Sequence, residues 1–125
     1  MPARANSGIL ARGRPWADIL FHFRSNPWAP GMAELVESIA TSRYADGLFA
    51  TTSMHTLLLA QSPEIDMVAD VLRVEPTHDG KVRFEYVERM GARRRWVREV
   101  PPEAAFATFE GFLRHLRWFV EYRPS

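Results

Sequence analysis

The stretch Lys81-Val82-Arg83-Phe84-Glu85-Tyr86 alternates charged and apolar side chains without a break. Successive side chains of a β-strand point to opposite faces, so a period of two gives one apolar face and one charged face. This segment is therefore a strand resting on a core through Val82, Phe84 and Tyr86. Upstream, Pro76-Thr77-His78-Asp79-Gly80 carries the Asp-Gly chemistry of a tight turn, and the β-prone run Val71 to Glu75 precedes it. Downstream, Met90-Gly91-Ala92 turns the chain into a further strand, Arg94 to Val100, which contains Trp96.

The same reading extends toward the N-terminus. Leu48 to Thr52 and Thr56 to Gln61 are two β-prone runs separated by Ser53-Met54-His55, a plausible hairpin. Within the second, Leu57-Leu58-Leu59 is continuous rather than alternating, which suits a central strand buried on both faces. Ser62-Pro63-Glu64 breaks the pattern and leaves Glu64 and Asp66 in a loop. Five strands joined by short turns make an antiparallel meander.

Helices flank the meander. Pro15 fits the first turn of a helix whose Trp16, Ile19, Leu20 and Phe23 fall on one face at helical spacing. Ser25-Asn26-Pro27 stops it, Trp28-Ala29-Pro30-Gly31 connects, and Met32, Leu35, Val36 and Ile39 repeat the spacing, giving an αα-hairpin. Asp46-Gly47 closes this part. After Pro101-Pro102-Glu103, the residues Phe106, Phe109, Phe112, Leu113, Leu116, Phe119 and Val120 form an apolar helical stripe. Gly111 interrupts that helix at a cost of about 1 kcal/mol relative to alanine, which points to a close approach to the sheet.

The expected fold is thus α+β in the order ααβββββα, with residues 14–125 as a single domain and residues 1–13 as a loose basic tail. Helices before and after a meander most simply cover one sheet face. The charged sides of the last two strands, with Lys81, Arg83 and Glu85 on one and Arg93, Arg95, Val97 and Glu99 on the other, then lie together on the second face.

A chain of 125 residues with 46% apolar side chains suffices for one domain with a proper core. Cysteine is absent, which removes disulfides, thiolate nucleophiles and cysteine-ligated zinc. No apolar run is long enough to span a membrane, so a cytoplasmic protein without membrane contact is expected. A net charge of +1 gives no global case for nucleic acid. The charges do segregate along the chain: Glu34 to Asp79 holds eight acids against Arg43 and Arg73, while Lys81 to Arg98 holds seven bases against Glu85 and Glu88.

Catalytic constellations are weak. His22, His55, His78 and His115 are scattered, with no metal-ligand spacing between them. Ser53 near His55 has no nucleophile elbow or orienting acid, the Glu64/Asp66 pair has no sign of a raised pKa, and there is no phosphate-cradling glycine motif. No catalytic residue, cofactor or metal is therefore expected. The strongest local signal is Arg93-Arg94-Arg95 beside Trp96. Alternate strand residues point to opposite faces, so this run guards an edge or pairs with acids across strands in preference to forming one phosphate-binding patch. Trp28, in a proline-flanked loop, and Trp118, off the main stripe of the last helix, complete a set of partner-contact candidates, Trp28, Glu64, Asp66, Lys81, Arg83, Arg93, Arg95 and Trp118, with capping of the domain's own core the simpler reading of each tryptophan.

These features favour a non-catalytic module that binds another protein, as a monomer or homodimer. Few lysines with many arginines and alanines suggest a GC-rich bacterial genome. The most specific form of the expectation is an immunity protein that blocks a toxin, with the acidic segment facing a basic partner. A secretion chaperone or adaptor is the alternative, followed by nucleic-acid binding through Arg93 to Arg98 and, last, a small enzyme.

Overall fold

The computed structural model describes residues 10–26, 29, 31–66, 70–88 and 95–118. The chain is α+β, with a five-stranded antiparallel sheet and three helices. Strands β1 (Leu10–Arg12), β2 (Phe49–Ser53), β3 (Thr56–Ala60), β4 (Glu64–Asp66), β5 (Leu72–Pro76), β6 (Val82–Val87) and β7 (Arg95–Val100) accompany helices α1 (Trp16–Arg24), α2 (Met32–Ala40) and α3 (Ala105–Leu116). The main sheet runs β2-β3-β5-β6-β7. It is the meander that the sequence predicts, with one strand inserted on a separate ribbon.

Register follows from the alternation. Val82, Phe84 and Tyr86 of β6 stand opposite Val100, Arg98 and Trp96 of β7, and opposite Pro76, Val74 and Leu72 of β5. Leu72 and Val74 of β5 and Val82, Phe84 and Tyr86 of β6, with Leu57 and Leu59 of β3, meet Ile19 and Phe23 of α1, Met32, Leu35, Val36 and Ile39 of α2, and Phe109, Phe112 and Leu113 of α3 in one core. Each large apolar side chain buried there contributes about 1.5–3 kcal/mol. All three helices therefore lie on one sheet face, as expected from a meander flanked by amphipathic helices.

Helix ends are satisfied locally. The Pro15 carbonyl accepts from the Asp18 and Ile19 amides at the start of α1. At its end the Ser25 hydroxyl adds a second donor to the Phe21 carbonyl, which already accepts the Ser25 backbone N–H, and the Asn26 side-chain amide donates to the His22 carbonyl, among the carbonyls of the last turn that need partners. A 3-10 turn, Arg43–Gly47, closes α2, with the Ser42 hydroxyl accepting from the Tyr44 amide.

Two expectations change. Residues 10–12, expected within a loose tail, form β1, which pairs antiparallel with β4; Glu64 and Asp66, expected in a loop, belong to that partner strand. The ribbon folds over the β2–β3 end of the second sheet face, where Ile65 packs with Leu58, Ala60 and Val71. Leu58 is fully buried there, which is why β3 reads as a continuous apolar run. The second face is thus half covered and half charged.

Candidate functional site

The uncovered half of that face is a closed ion-pair lattice. Arg83 reaches Glu85 at 2.9 Å, Glu75 at 3.4 Å and Glu99 at 3.6 Å, and Arg95 reaches Glu85 at 2.6 Å. The Thr56 hydroxyl donates to Glu75 at 3.0 Å. Partial burial pushes the Glu85 carboxyl up, but hydrogen bonds from Arg83 and Arg95 outweigh it and hold the group below its usual range. Arg73, opposite Glu85, completes a balance of three arginines against three glutamates. The charges that separate along the sequence cancel on this face because each strand brings one arginine and one glutamate to it: Arg73 and Glu75 on β5, Arg83 and Glu85 on β6, Arg95 and Glu99 on β7. A neutral, internally paired face offers no net attraction to phosphate or to a strongly charged partner.

Strand β7 has a second face with a different character. Trp96, Arg98 and Val100 project at period two toward Thr108, Gly111, Phe112 and His115 of α3, and together they line a groove of about 450 Å³. Its floor is aromatic: Phe112 stacks on Phe84 at 5.7 Å, and His115 meets Trp96 edge-on at 4.8 Å. The Thr108 hydroxyl is occupied by the Ala104 carbonyl. Gly111 does not approach the sheet closely, as its helix position suggested. A side chain added there meets only the Arg114 guanidinium at 4.0 Å, so this glycine leaves the groove open.

Arg98 is the one arginine described on β5, β6 or β7 that points into this groove. Its hydrogen bond goes to the neighbouring Val97 carbonyl at 3.3 Å, and among the described residues it forms no ion pair. No carboxylate is found among the described residues lining the groove.

The two edges of the main sheet also differ. At β2 the Arg14 amide donates to the Ala50 carbonyl at 2.8 Å, and the Arg14 guanidinium donates to Thr52. At β7, among the described residues, backbone pairing is with β6 alone. The pairing groups of an edge strand template the addition of another, and here that template runs beside the groove.

The residues singled out by sequence do not converge. Arg83 and Arg95 lie in the lattice, held by glutamates. Lys81 sits in the β5–β6 turn, 3.9 Å from Asp79. Glu64 and Asp66 stand on the ribbon against β2 and β3, with Glu64 opposite Arg12. Trp28 and Arg93 lie outside the described residues. Trp118 is buried against the core, the simpler of its two readings, and does not stand on an open partner surface. Arg117 adopts the left-handed conformation at φ 61° and turns the chain back, so that the indole packs edge-on against Tyr86 while its carbonyl accepts from Gln61. The residues that do share a site are Trp96, Arg98, Val100, Thr108, Gly111 and His115, none of them but Arg98, within the Arg93 to Arg98 segment, a binding candidate from sequence. Their signal was the break that Thr108, Gly111 and His115 make beside the Phe stripe.

Ser53 is the last residue of β2, and Met54 and His55 form the two-residue turn of the β2–β3 hairpin, tied down by the His22 ring donating to the Met54 carbonyl at 2.7 Å. Among the described residues no three histidines or acids group as metal ligands, and no helix is long and apolar enough to cross a membrane. Comparison of the chain with protein-family models, with curated proteins and with solved structures finds no match.

Proposed function

We propose that this chain is a non-catalytic protein-binding module that takes up an extended segment of its partner along β7, beside the β7–α3 groove. The observation that carries the reading is the asymmetry of the sheet edges: β2 is capped by Arg14, whereas β7, paired among the described residues with β6 alone, runs next to a hollow lined by Trp96, Val100 and Phe112. In strand addition, main-chain hydrogen bonds supply affinity and pockets for alternate side chains supply selectivity. The edge supplies the first and the groove the second.

The edge favours the chaperone or adaptor form of this proposal, since such proteins hold extended segments. The immunity-protein form keeps the compositional support of a lysine-poor, arginine-rich chain. It loses its electrostatic support, because the acids of residues 34–79 are divided between α2, the ribbon, the lattice and the turn at Asp79. The test is an unbiased selection of linear peptides against the full chain. Binders are expected to compete with one another and to weaken when Gly111→Leu fills the groove. Binders indifferent to that substitution would refute the proposal.

A further inference from the structure

We infer that the segment accepted by β7 has the pattern apolar–x–acidic–x–apolar, with its carboxylate opposite Arg98. The inference rests on the strand-addition reading above and names the chemistry that reading leaves open. Trp96, Arg98 and Val100 occupy one face of β7 at i, i+2 and i+4. Directly opposed side chains on one face of a strand pair set its preferences, and opposite charges or aromatic and β-branched partners are the favourable combinations. An incoming strand therefore meets apolar, cationic and apolar positions in turn. The sequence of preferences is palindromic, so it is the same for parallel and antiparallel entry.

The other face of β7 adds no competing demand. Arg95 and Glu99 are already held by Glu85 and Arg83, so residues opposite them need only be small and polar. Arg98 acts in both directions. An exposed guanidinium on an edge, without an ion pair among the described residues, repels an indiscriminate apolar strand, which would leave that charge desolvated, and admits a strand carrying a carboxylate in the right place. The planar guanidinium also matches a carboxylate in bidentate geometry. The described residues lining the groove supply no carboxylate of their own that would compete.

The test uses terminally blocked peptides of sequence Thr-Val-Thr-Glu-Thr-Val-Thr and their central Gln and Lys counterparts, so that the only carboxylate is the side chain. Binding is read by anisotropy of a labelled peptide, and site occupancy by protection of the β7 amides. The Glu peptide is expected to bind on the order of fivefold more tightly than the Gln peptide, the ratio for one opposite-charge cross-strand pair of about 1 kcal/mol, and more tightly still than the Lys peptide. Arg98→Glu, at an exposed position with no ion pair among the described residues, is expected to fold normally and to reverse the order. Equal binding of all three peptides with β7 protected would overturn this inference and leave the edge reading standing. Failure of every peptide to protect β7 would overturn both.

Discussion

Gly111→Leu separates stability from binding. Gly111 lies in the interior of α3, seven residues into a twelve-residue helix, where glycine is about 0.8–1 kcal/mol less favourable than alanine and leucine nearly equals alanine. A Cβ there meets nothing closer than the Arg114 guanidinium at 4.0 Å, so the helical gain is not spent on a clash. Net stability should rise by about 1 kcal/mol, and for a domain of this size the midpoint of thermal unfolding should rise by roughly 3–6 °C. The same side chain projects into the groove beside Trp96 and Phe112 and displaces the side chain of a docked segment. Urea unfolding measures the first effect and peptide titration the second. A loss of stability would show that the space is not open. A gain in stability with unchanged binding would show that the groove is not the site.

Four other perturbations test the fold around it. Gly31→Ala should cost about 2–5 kcal/mol, the sum of a left-handed backbone at φ +86° and a Cβ only 2.6 Å from Pro102 Cβ; in a Pro102→Gly background the steric part should vanish, as a double-mutant cycle would report. Glu85 has its folded-state pKa depressed, so it contributes stability above its ordinary value of 4.5 that is lost as pH falls through the folded pKa. Arg83→Met should shrink that acid limb in a series of urea melts. Tyr86 is pushed up to about 12, first by burial and then by Asp70 and Glu88. It therefore contributes stability below pH 10 that is lost between pH 10 and 12, up to about 3 kcal/mol, and Tyr86→Phe should flatten the alkaline limb. Met54, exposed and at φ 56°, should be replaceable by glycine with a gain of up to about 1 kcal/mol in chemical denaturation, by relief of left-handed strain.

The meander and helices were legible because burial leaves a period. Val82-Arg83-Phe84-Glu85-Tyr86 can only be a half-buried strand, and Met32, Leu35, Val36 and Ile39 can only be one helical face. The β1–β4 ribbon was not legible as strands, since three residues carry no period. The triple leucine at 57–59 nonetheless required a cover on the second face, and Ile65 supplies it. The separation of charge along the chain does not persist on this sheet face, because β5, β6 and β7 each bring one arginine and one glutamate to it, and Arg95 pairs across strands with Glu85 as its place in the run suggested. Trp118 caps the core by way of a left-handed turn at Arg117 that no glycine or asparagine announces, which is why it also read as a contact candidate. The groove was hidden because its openness depends on which α3 residues face the edge, and Thr108, Gly111 and His115 mean little until Trp96 and Arg98 stand opposite them.

Amide hydrogen exchange of the full chain, with and without the blocked Glu-centred peptide at saturation, tests the central claim most directly. Strand addition predicts slowed exchange across residues 95–100, with the facing residues 108–115 of α3 following, and no change in the β1–β4 ribbon. Unchanged exchange across β7 in the bound state, or protection confined to α1, α2 or the ribbon, would contradict it.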